Sequence, residues 1–311
     1  MNVHGVLRET KLYNRIIENN LIMSKPIIYT SKWLSKTTKT KKIANAIFAA
    51  LDDLHIKHRE LDLKNTTDYW CRDFMPVRIS DDGTYANYTY RPDYLDDYKI
   101  KQKYITEQKK ACEGLNLFAP NDMDIVFDGG NYVRCGDKVI MTDKIFSENP
   151  LWKPLDLLQH LSDVLQAEII LLPWDMGDPY GHADGMVAYL GDNIVLLNGC
   201  WRNKDSQFHK RLLKILKGHF EVIELPAWEE EENSWCYINY LQVPGGILLP
   251  CLSENADCET DIAAKKTFKK LFPHLEIIPI YAMPLIDNGG NNDGGALHCV
   301  TWEFYEKQAN K

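Results

Sequence analysis

The chain has 311 residues, of which 45% are apolar and 26% are charged, a balance typical of a globular protein with a full core and not of a disordered chain. Its formal charge of -8 at pH 7 argues against nucleic-acid binding, because a duplex binder needs a basic face to displace counterions from phosphates. No apolar stretch reaches the length of a membrane span. The acidic balance is compatible with a small cationic substrate.

The first 22 residues carry several charged side chains and no continuous apolar segment, unlike a secretory signal. We expect an N-terminal extension over residues 1–22, with Met23 as an alternative start, and one α/β domain over residues 23–311 in the cytoplasm. Eight scattered cysteines, with no C-x-x-C pair, favour free thiols. The sequence predicts neither a metal site nor a cofactor.

An amphipathic helix followed by a short β-rich run recurs five times along the chain. The predicted helix and strand pairs are, in chain order, 42–51 with 57–63, 105–114 with 124–127, 155–165 with 168–173, 208–216 with 221–226, and 263–272 with 276–280. The strand starts are roughly 45 to 65 residues apart, in or near the range of repeat architectures. A closed ring would bring the loops that follow the strands together. An ordinary α/β protein with the same alternation is the alternative.

Four of the loops carry polar groups beside small or flexible residues, which let a backbone approach a ligand closely. Taken singly, such motifs also fit a surface salt bridge, a turn or a structural histidine. The four motifs are Trp70-Cys71-Arg72-Asp73, Asp128-Gly129-Gly130-Asn131, Gly181-His182-Ala183-Asp184-Gly185 and Gly294-Gly295-Ala296-Leu297-His298-Cys299.

In this order the four motifs resemble those of the guanidino-group modifying superfamily, particularly the agmatine deiminase and bacterial-type peptidylarginine deiminase family. The resemblance spans nearly the whole chain. It implies an α/β fold, a five-bladed pseudo-fivefold α/β propeller (pentein) of ββαβ units. It also implies roles: Cys299 as the nucleophile, His182 as general acid and base, Asp128 as the carboxylate that orients His182, and Asp73 and Asp184 as the groups that hold a guanidinium.

The implied enzyme is a hydrolase of C–N bonds in linear amidines. A guanidinium presents planar N–H donors, so two carboxylates bind it by charge-assisted hydrogen bonds. Its positive charge beside Cys299 favours the thiolate, which is the attacking form. Attack and loss of ammonia would leave a covalent thiouronium, and water would then release a ureido product.

The substrate is less clearly indicated than the reaction. Family relatives usually carry Glu at the position of Asp128, and agmatine deiminases typically carry Asn at the position of Ala296. An agmatine-like small molecule is favoured. Deimination of peptide- or protein-bound arginine, an amidinotransferase with an amine acceptor, and a catalytically silent guanidinium-binding protein are the alternatives. A homodimer is compatible with the family.

Further residues are assigned by position in the sequence. Trp70 and Arg72 are predicted to bind substrate, and Arg91, Asp93, Tyr180 and the acidic run 229–232 are candidates for framing its tail. Cys71 is interpreted as a packing cysteine, and Trp302 as a core or edge residue. If strand alternation holds around Cys299, its neighbour His298 points away from it.

Overall fold

The computed structural model describes residues 25–64, 66–95, 104–228, 231–287 and 294–307. The extension predicted over residues 1–22 lies outside these ranges. The described residues form two compact units. Unit 1 contains residues 25, 43–57 and 187–297 of those described, and unit 2 contains residues 26–42, 58–186 and 298–307. The single domain proposed for residues 23–311 stays a prediction.

Within the described ranges, five three-stranded sheets share one arrangement: a central strand pairs antiparallel with one neighbour and parallel with the other. The three sheets of unit 2 consist of Ile27–Ser31, His58–Leu61 and Trp302–Phe304; Val77–Arg78, Thr84–Thr89 and Phe118–Val126; and Val133–Cys135, Lys138–Thr142 and Glu168–Leu172. The two sheets of unit 1 consist of Val187–Gly191, Ile194–Leu197 and Glu221–Glu224; and Leu241–Val243, Gly246–Cys251 and Glu276–Tyr281.

Each parallel pair of strands is joined by a crossover that contains a helix, because a tight turn cannot join parallel strands. The five crossover helices are Lys41–Asp53, Gln108–Ala111, Pro154–Leu165, Ser206–His219 and Glu259–Leu271. The predicted alternation of helix and strand is therefore confirmed in all five copies. The second helix is shorter than predicted and its strand longer, and Gly114 between them has a φ of +81°, which a helix does not tolerate.

Shorter helices lie in the loops between these elements. They are Lys32–Lys36, Cys71–Phe74, Lys144–Glu148, Trp201–Lys204 and Met283–Ile286, with 3-10 turns at Asp93–Leu95, Gly129–Asn131, Ala183–Gly185 and Glu232–Ile238. Three of them, Cys71–Phe74, Gly129–Asn131 and Ala183–Gly185, contain or adjoin residues of the four motifs.

The core of unit 2 is built where a helix face meets a central strand. Helix Pro154–Leu165 buries Leu157, Leu161 and Leu165, which lie on one face because they are four residues apart. In the neighbouring sheet, all residues of the central strand after Lys138 are buried. Full burial of each such leucine stabilises the fold by roughly 2 kcal/mol.

The core of unit 1 follows the same rule. Every residue of the central strands Ile194–Leu197 and Gly246–Cys251 is buried. Helix Ser206–His219 covers this layer with Leu212 and Leu216, and Asp205 caps its start by accepting hydrogen bonds from two backbone N–H groups.

No helix in the described part of the chain is both long and apolar enough to cross a bilayer. All eight cysteines lie within the described residues, and none of them forms a disulfide bond there. Cys71 is fully buried, and burial raises the pKa of its thiol. These properties fit the packing role interpreted from sequence.

Candidate active site

Unit 2 brings together the residues to which the four motifs pointed. Asp73 lies on the short helix Cys71–Phe74, which begins within the first motif, and Asp184 lies in the 3-10 turn after His182. Asp128 caps the Gly129–Asn131 turn and Cys299 lies in a turn before the last strand. The five side chains of this cluster, from Asp73, Asp128, His182, Asp184 and Cys299, belong to residues that are only 2% to 8% exposed.

His182 and Asp128 form the central pair. Nε2 of His182 lies 2.9 Å from Oδ2 of Asp128, and Nδ1 lies 3.9 Å from Oδ1 of Asp73. Burial by itself lowers the pKa of His182, but the two carboxylates outweigh burial and raise it to about 10. The imidazole is therefore protonated at neutral pH, the form that can donate a proton to a leaving amine.

The two carboxylates differ in their own proton affinity. Burial raises the pKa of Asp73 well above its ordinary value, and the charge of Asp128 adds to this effect. Burial acts in the same direction on Asp128, but His182 and a hydroxyl from Tyr94 outweigh it, so its pKa is lowered. Asp128 thus carries the charge that holds the imidazolium. A further cation would stabilise the charged form of Asp73.

Gly129 and Gly130 allow this close approach. A Cβ on Gly130 would lie 2.3 Å from Nδ1 of His182 and 2.8 Å from Oδ1 of Asp73. A Cβ on Gly129 would lie 2.0 Å from the carbonyl oxygen of Arg72. All three distances are well below a van der Waals contact, so the Gly-Gly pair is required here by packing and not merely by a turn.

Cys299 and His298 share one carboxylate. The Cys299 thiol donates to Oδ2 of Asp184 at 3.8 Å, and Nδ1 of His298 lies 2.7 Å from the same oxygen. The expectation that His298 points away from the site is wrong. Residues 297–300 form a turn and not a strand, so the alternation of side chains on which that expectation rested does not apply.

Arg72 holds the segment that carries Cys299. Its backbone N–H donates to the carbonyl of Cys299 at 3.0 Å, and its Nε donates to the carbonyl of His298 at 3.4 Å. Its guanidinium forms an ion pair with Glu303. Burial acts to raise the pKa of Glu303, but Arg72 outweighs it and lowers that pKa. The predicted substrate-binding residue thus has its charge paired within the protein.

The other residues assigned by sequence lie at varying distances from this cluster. Trp70 is half-buried and its ring packs 4.9 Å from that of Tyr69. The Tyr180 ring lies 5.8 Å from that of His182, and Asp93 pairs with Lys144 at 3.0 Å. Arg91 is exposed. Of the acidic run 229–232, the first two residues lie outside the described ranges.

Sequence reasoning missed Tyr94, His298 and Glu303. Tyr94 donates a hydrogen bond to Asp128 at 2.5 Å. Tyr94 lies outside the four motifs, and Glu303 is separated from Arg72 by 231 residues. No short-range sequence pattern therefore connects either residue with the site. His298 was open to recognition, since it stands inside the terminal motif beside Cys299.

Asp73, Asp128 and His182 each present a ligand atom within 4.8 Å of the other two, a spacing that a metal ion could use. Two of these atoms already face one another as an ion pair. The arrangement equally suits proton transfer, in which an imidazolium is held by one carboxylate and faces a second. The Cys299 thiol, which donates to Asp184, adds a nucleophile to this group of one acid and two carboxylates.

Comparison with known proteins agrees with this arrangement. A family model described as Porphyromonas-type peptidyl-arginine deiminase matches residues 29–304. A relative from Marinomonas sp. (strain MWYL1), assigned to the agmatine deiminases, is 25% identical in an alignment of 254 residues that covers 69% of this chain and 65% of that protein's length. Agmatine deiminase of Pseudomonas aeruginosa (strain LESB58) is 24% identical over 306 residues, covering 81% of this chain and 78% of its own.

Solved structures give the fold. A substrate-bound agmatine deiminase from C. jejuni, with a cysteine replaced by serine, covers 92% of this chain and 95% of its own, with a TM-score of 0.67 and 17% identity. The predicted five-bladed α/β propeller, the pentein fold, is confirmed by this likeness and by the five repeated sheets. The match of the family model over most of the sequence shows that the chain belongs to the Porphyromonas-type peptidyl-arginine deiminase family.

Proposed function

We propose that the protein is a guanidino deiminase, a hydrolase that cleaves a guanidinium C–N bond to give a ureido product and ammonia. One observation carries the proposal: two contacts lie in the same buried cluster. The Cys299 thiol donates a hydrogen bond to Asp184, and the His182 imidazolium forms an ion pair with Asp128. Family membership agrees with it.

Asp73 and Asp184 bind the guanidinium in this proposal. Asp73 Oδ1 is buried, and no described residue forms a hydrogen bond to it, which is costly for a carboxylate unless a donor arrives. A bound guanidinium supplies N–H donors and a positive charge, and it would lower the raised pKa of Asp73. The substrate thereby satisfies a group that the protein leaves unsatisfied.

The first chemical step is attack by sulfur. Binding of a cation beside Cys299 favours the thiolate, and Sγ then forms a bond to the guanidinium carbon. His182 transfers its Nδ1 or Nε2 proton to one nitrogen of the tetrahedral adduct. The C–N bond breaks with its electron pair on nitrogen, ammonia leaves, and a thiouronium remains on Cys299.

The second step consumes water. His182, now neutral, takes a proton from a water molecule as its oxygen attacks the thiouronium carbon. The C–S bond breaks with its electron pair on sulfur, and the hydroxyl of the adduct gives its remaining proton to solvent water, which returns the Cys299 thiolate and releases the neutral ureido product. A proton affinity as high as that of His182 makes the neutral ring a strong base for this step.

A small guanidino amine such as agmatine is the favoured substrate. The burial of the cluster favours a guanidinium on a slim, extended chain. The relatives compared above are agmatine deiminases. An arginine residue of a peptide is the second candidate, because the family description names peptidyl-arginine.

The test is release of ammonia and of ureido product from agmatine, free arginine, an arginine-containing peptide and methylated arginines. We expect turnover of agmatine, and loss of all detectable turnover in Cys299→Ala because no other group forms the thiouronium. Cys112→Ala, which removes a partly buried thiol from the same unit, is the matched control and should retain activity.

The outcomes separate the alternatives. Turnover of the peptide and not of agmatine would assign the protein-directed reaction. Formation of a new guanidino compound only when an amine is added, without ammonia, would assign an amidinotransferase. Equal activity in Cys299→Ala and the parent protein would contradict the proposed chemistry.

A further inference from the structure

Tyr94 contacts the catalytic pair directly, although none of the four motifs contains it. Its hydroxyl donates to Oδ2 of Asp128 at 2.5 Å. The same oxygen lies 2.9 Å from Nε2 of His182. Since Asp128 is 2% exposed, bulk water does not compete strongly with either contact. One carboxylate oxygen is therefore shared between a neutral donor and the imidazolium.

The position of Tyr94 is held by a buried lysine. The side chain of Lys144 is 1% exposed, and its Nζ lies 3.0 Å from Oδ1 of Asp93, the residue before Tyr94. The same ammonium donates to the carbonyl of Tyr180 at 2.9 Å, two residues before His182. It also lies 4.8 Å from the centre of the Tyr94 ring, within the range of a cation–π contact. Lys144 thus joins the segments that carry Tyr94 and His182.

A second carboxylate balances this ammonium. Oε1 of Glu148 lies 3.4 Å from Nζ of Lys144, and its side chain is 2% exposed. Burying a lysine side chain without compensation would be costly, and the carboxylates of Asp93 and Glu148 offset that cost.

We propose that Tyr94 is a positioning residue of the deiminase reaction: its hydroxyl holds the Asp128 carboxylate against His182, and Lys144 holds Tyr94 in place. The proposal rests on the proposed function. Its physical basis is that a hydroxyl donor takes up part of the negative charge of the carboxylate. The imidazolium then gives up its proton more readily to the departing amine.

Loss of the hydroxyl should change the titration of both partners. Without the donor, the pKa of Asp128 rises. The full negative charge of its carboxylate then acts on His182, so the pKa of His182 rises as well. Other charged groups also face this pair and stay in place in a Tyr94 variant. The groups that face Tyr94 and His182 are Asp73, Asp128, Asp184, Asp178, Lys144, Glu148, Asp68 and the Tyr90 hydroxyl.

The kinetic test is the pH profile of Tyr94→Phe. We expect kcat to fall about tenfold, KM to stay within about twofold because Asp73 and Asp184 are untouched, and the acid limb of kcat/KM to move up by about 0.5 to 1 pH unit. Tyr132→Phe is the matched control, since it removes a hydroxyl that donates to the carbonyl of Arg78 at 2.7 Å and leaves Asp128 intact. A profile of Tyr94→Phe that coincides with the parent profile would overturn the proposal.

A second readout does not depend on turnover. Histidine labelled with carbon-13 at Cε1 allows the His182 resonance to be titrated by NMR, with His182→Gln identifying the signal. Tyr94→Phe should raise the pH of the His182 transition, while Tyr132→Phe should not. A shift in this titration in a protein that deiminates nothing would support the positioning role and contradict the proposed function, so the two failures are distinguishable. An unmoved titration would overturn the positioning role.

Lys144 is tested by combination. Lys144→Met should lower kcat in the same direction as Tyr94→Phe, and the double variant should be no slower than the worse single variant, because both act on Asp128 through one contact. Thermal unfolding of each variant checks that it is folded. Fully multiplicative effects in the double variant would overturn the assignment of Lys144 as the group that holds Tyr94.

Discussion

His182 shows how neighbouring charges decide the protonation state of a single residue. Burial disfavours an imidazolium, yet Asp128 and then Asp73 raise its pKa from 6.5 to about 10. The proposed catalytic acid is therefore kept protonated by these two neighbouring carboxylates. Sequence alone assigned Asp128 to the histidine through a resemblance, and the 2.9 Å separation gives that pairing a physical basis.

Removal of the Asp128 charge is the prediction at this scale. In Asp128→Asn, one of the two carboxylates that raise the pKa of His182 is lost, while burial still lowers it. The basic limb of kcat/KM should therefore move down by at least about 1 pH unit from near pH 10. We expect kcat/KM to fall about 100-fold. Asp137→Asn, at an exposed site of the same unit, is the control. A basic limb that stays in place would show that another group sets it.

The Gly129–Asn131 turn is the element that sets the spacing of the site. It follows strand Phe118–Val126, and its cap residue Asp128 accepts a hydrogen bond from the N–H of Gly130. The turn brings its backbone against His182 and Asp73 with no room for a side chain. The sequence indicated a flexible loop here, whereas the structure shows a tightly packed one.

Gly130→Ala tests this element. Its Cβ would lie 2.3 Å from a nitrogen of His182, so the ring must move off Asp128. We expect a loss of at least tenfold in kcat/KM and about 2 kcal/mol in the free energy of unfolding. Gly185→Ala is the matched control, because its Cβ would meet no atom of the described residues within 4 Å. Activity assays and urea unfolding measure both effects, and equal behaviour of the two variants would contradict the steric argument.

Across the whole molecule, buried acids and His182 give stability the same dependence on pH. A group whose pKa is higher in the folded state contributes stability that is present below its unfolded pKa and lost as pH rises through its folded pKa. Burial raises the pKa of Asp68 to about 8 and that of Glu148 to about 7, and the pKa of His182 reaches about 10. The effect of Asp68 reduces stability between about pH 4 and pH 8, that of Glu148 between about pH 4.5 and pH 7, and that of His182 between about pH 6.5 and pH 10.

Urea unfolding at intervals from pH 6 to pH 10 checks this expectation. The free energy of unfolding should fall across the range, and Asp68→Asn should make the fall shallower from pH 6 to about pH 8, because the amide cannot titrate. Stability that is constant or rises over this range would contradict the prediction. Asp82→Asn offers a contrast, since hydrogen bonds lower the pKa of that exposed carboxyl to about 2, outside the range tested.

The sequence by itself determined the alternation of helix and strand, and it pointed to the residues that are proposed to react. Apolar spacing depends on residues a few positions apart, so five helix–strand copies were readable without a structure. The motif residues were readable because each motif is contiguous. The central strands and their antiparallel neighbours were not identified individually. Strands of two to six residues, such as Val77–Arg78, carry too few positions for a pattern.

Only the tertiary structure decided which distant groups meet. Tyr94 reaches Asp128 across 34 residues, and Arg72 reaches Glu303 across 231. These contacts depend on strand pairing, such as that of Ile27–Ser31 with the last strand, and no local pattern records it. The structure also decided the direction of His298, because a turn replaces the strand on which side-chain alternation would depend. Short-range spacing therefore indicated the chemistry, and long-range packing set the charge environment in which it acts.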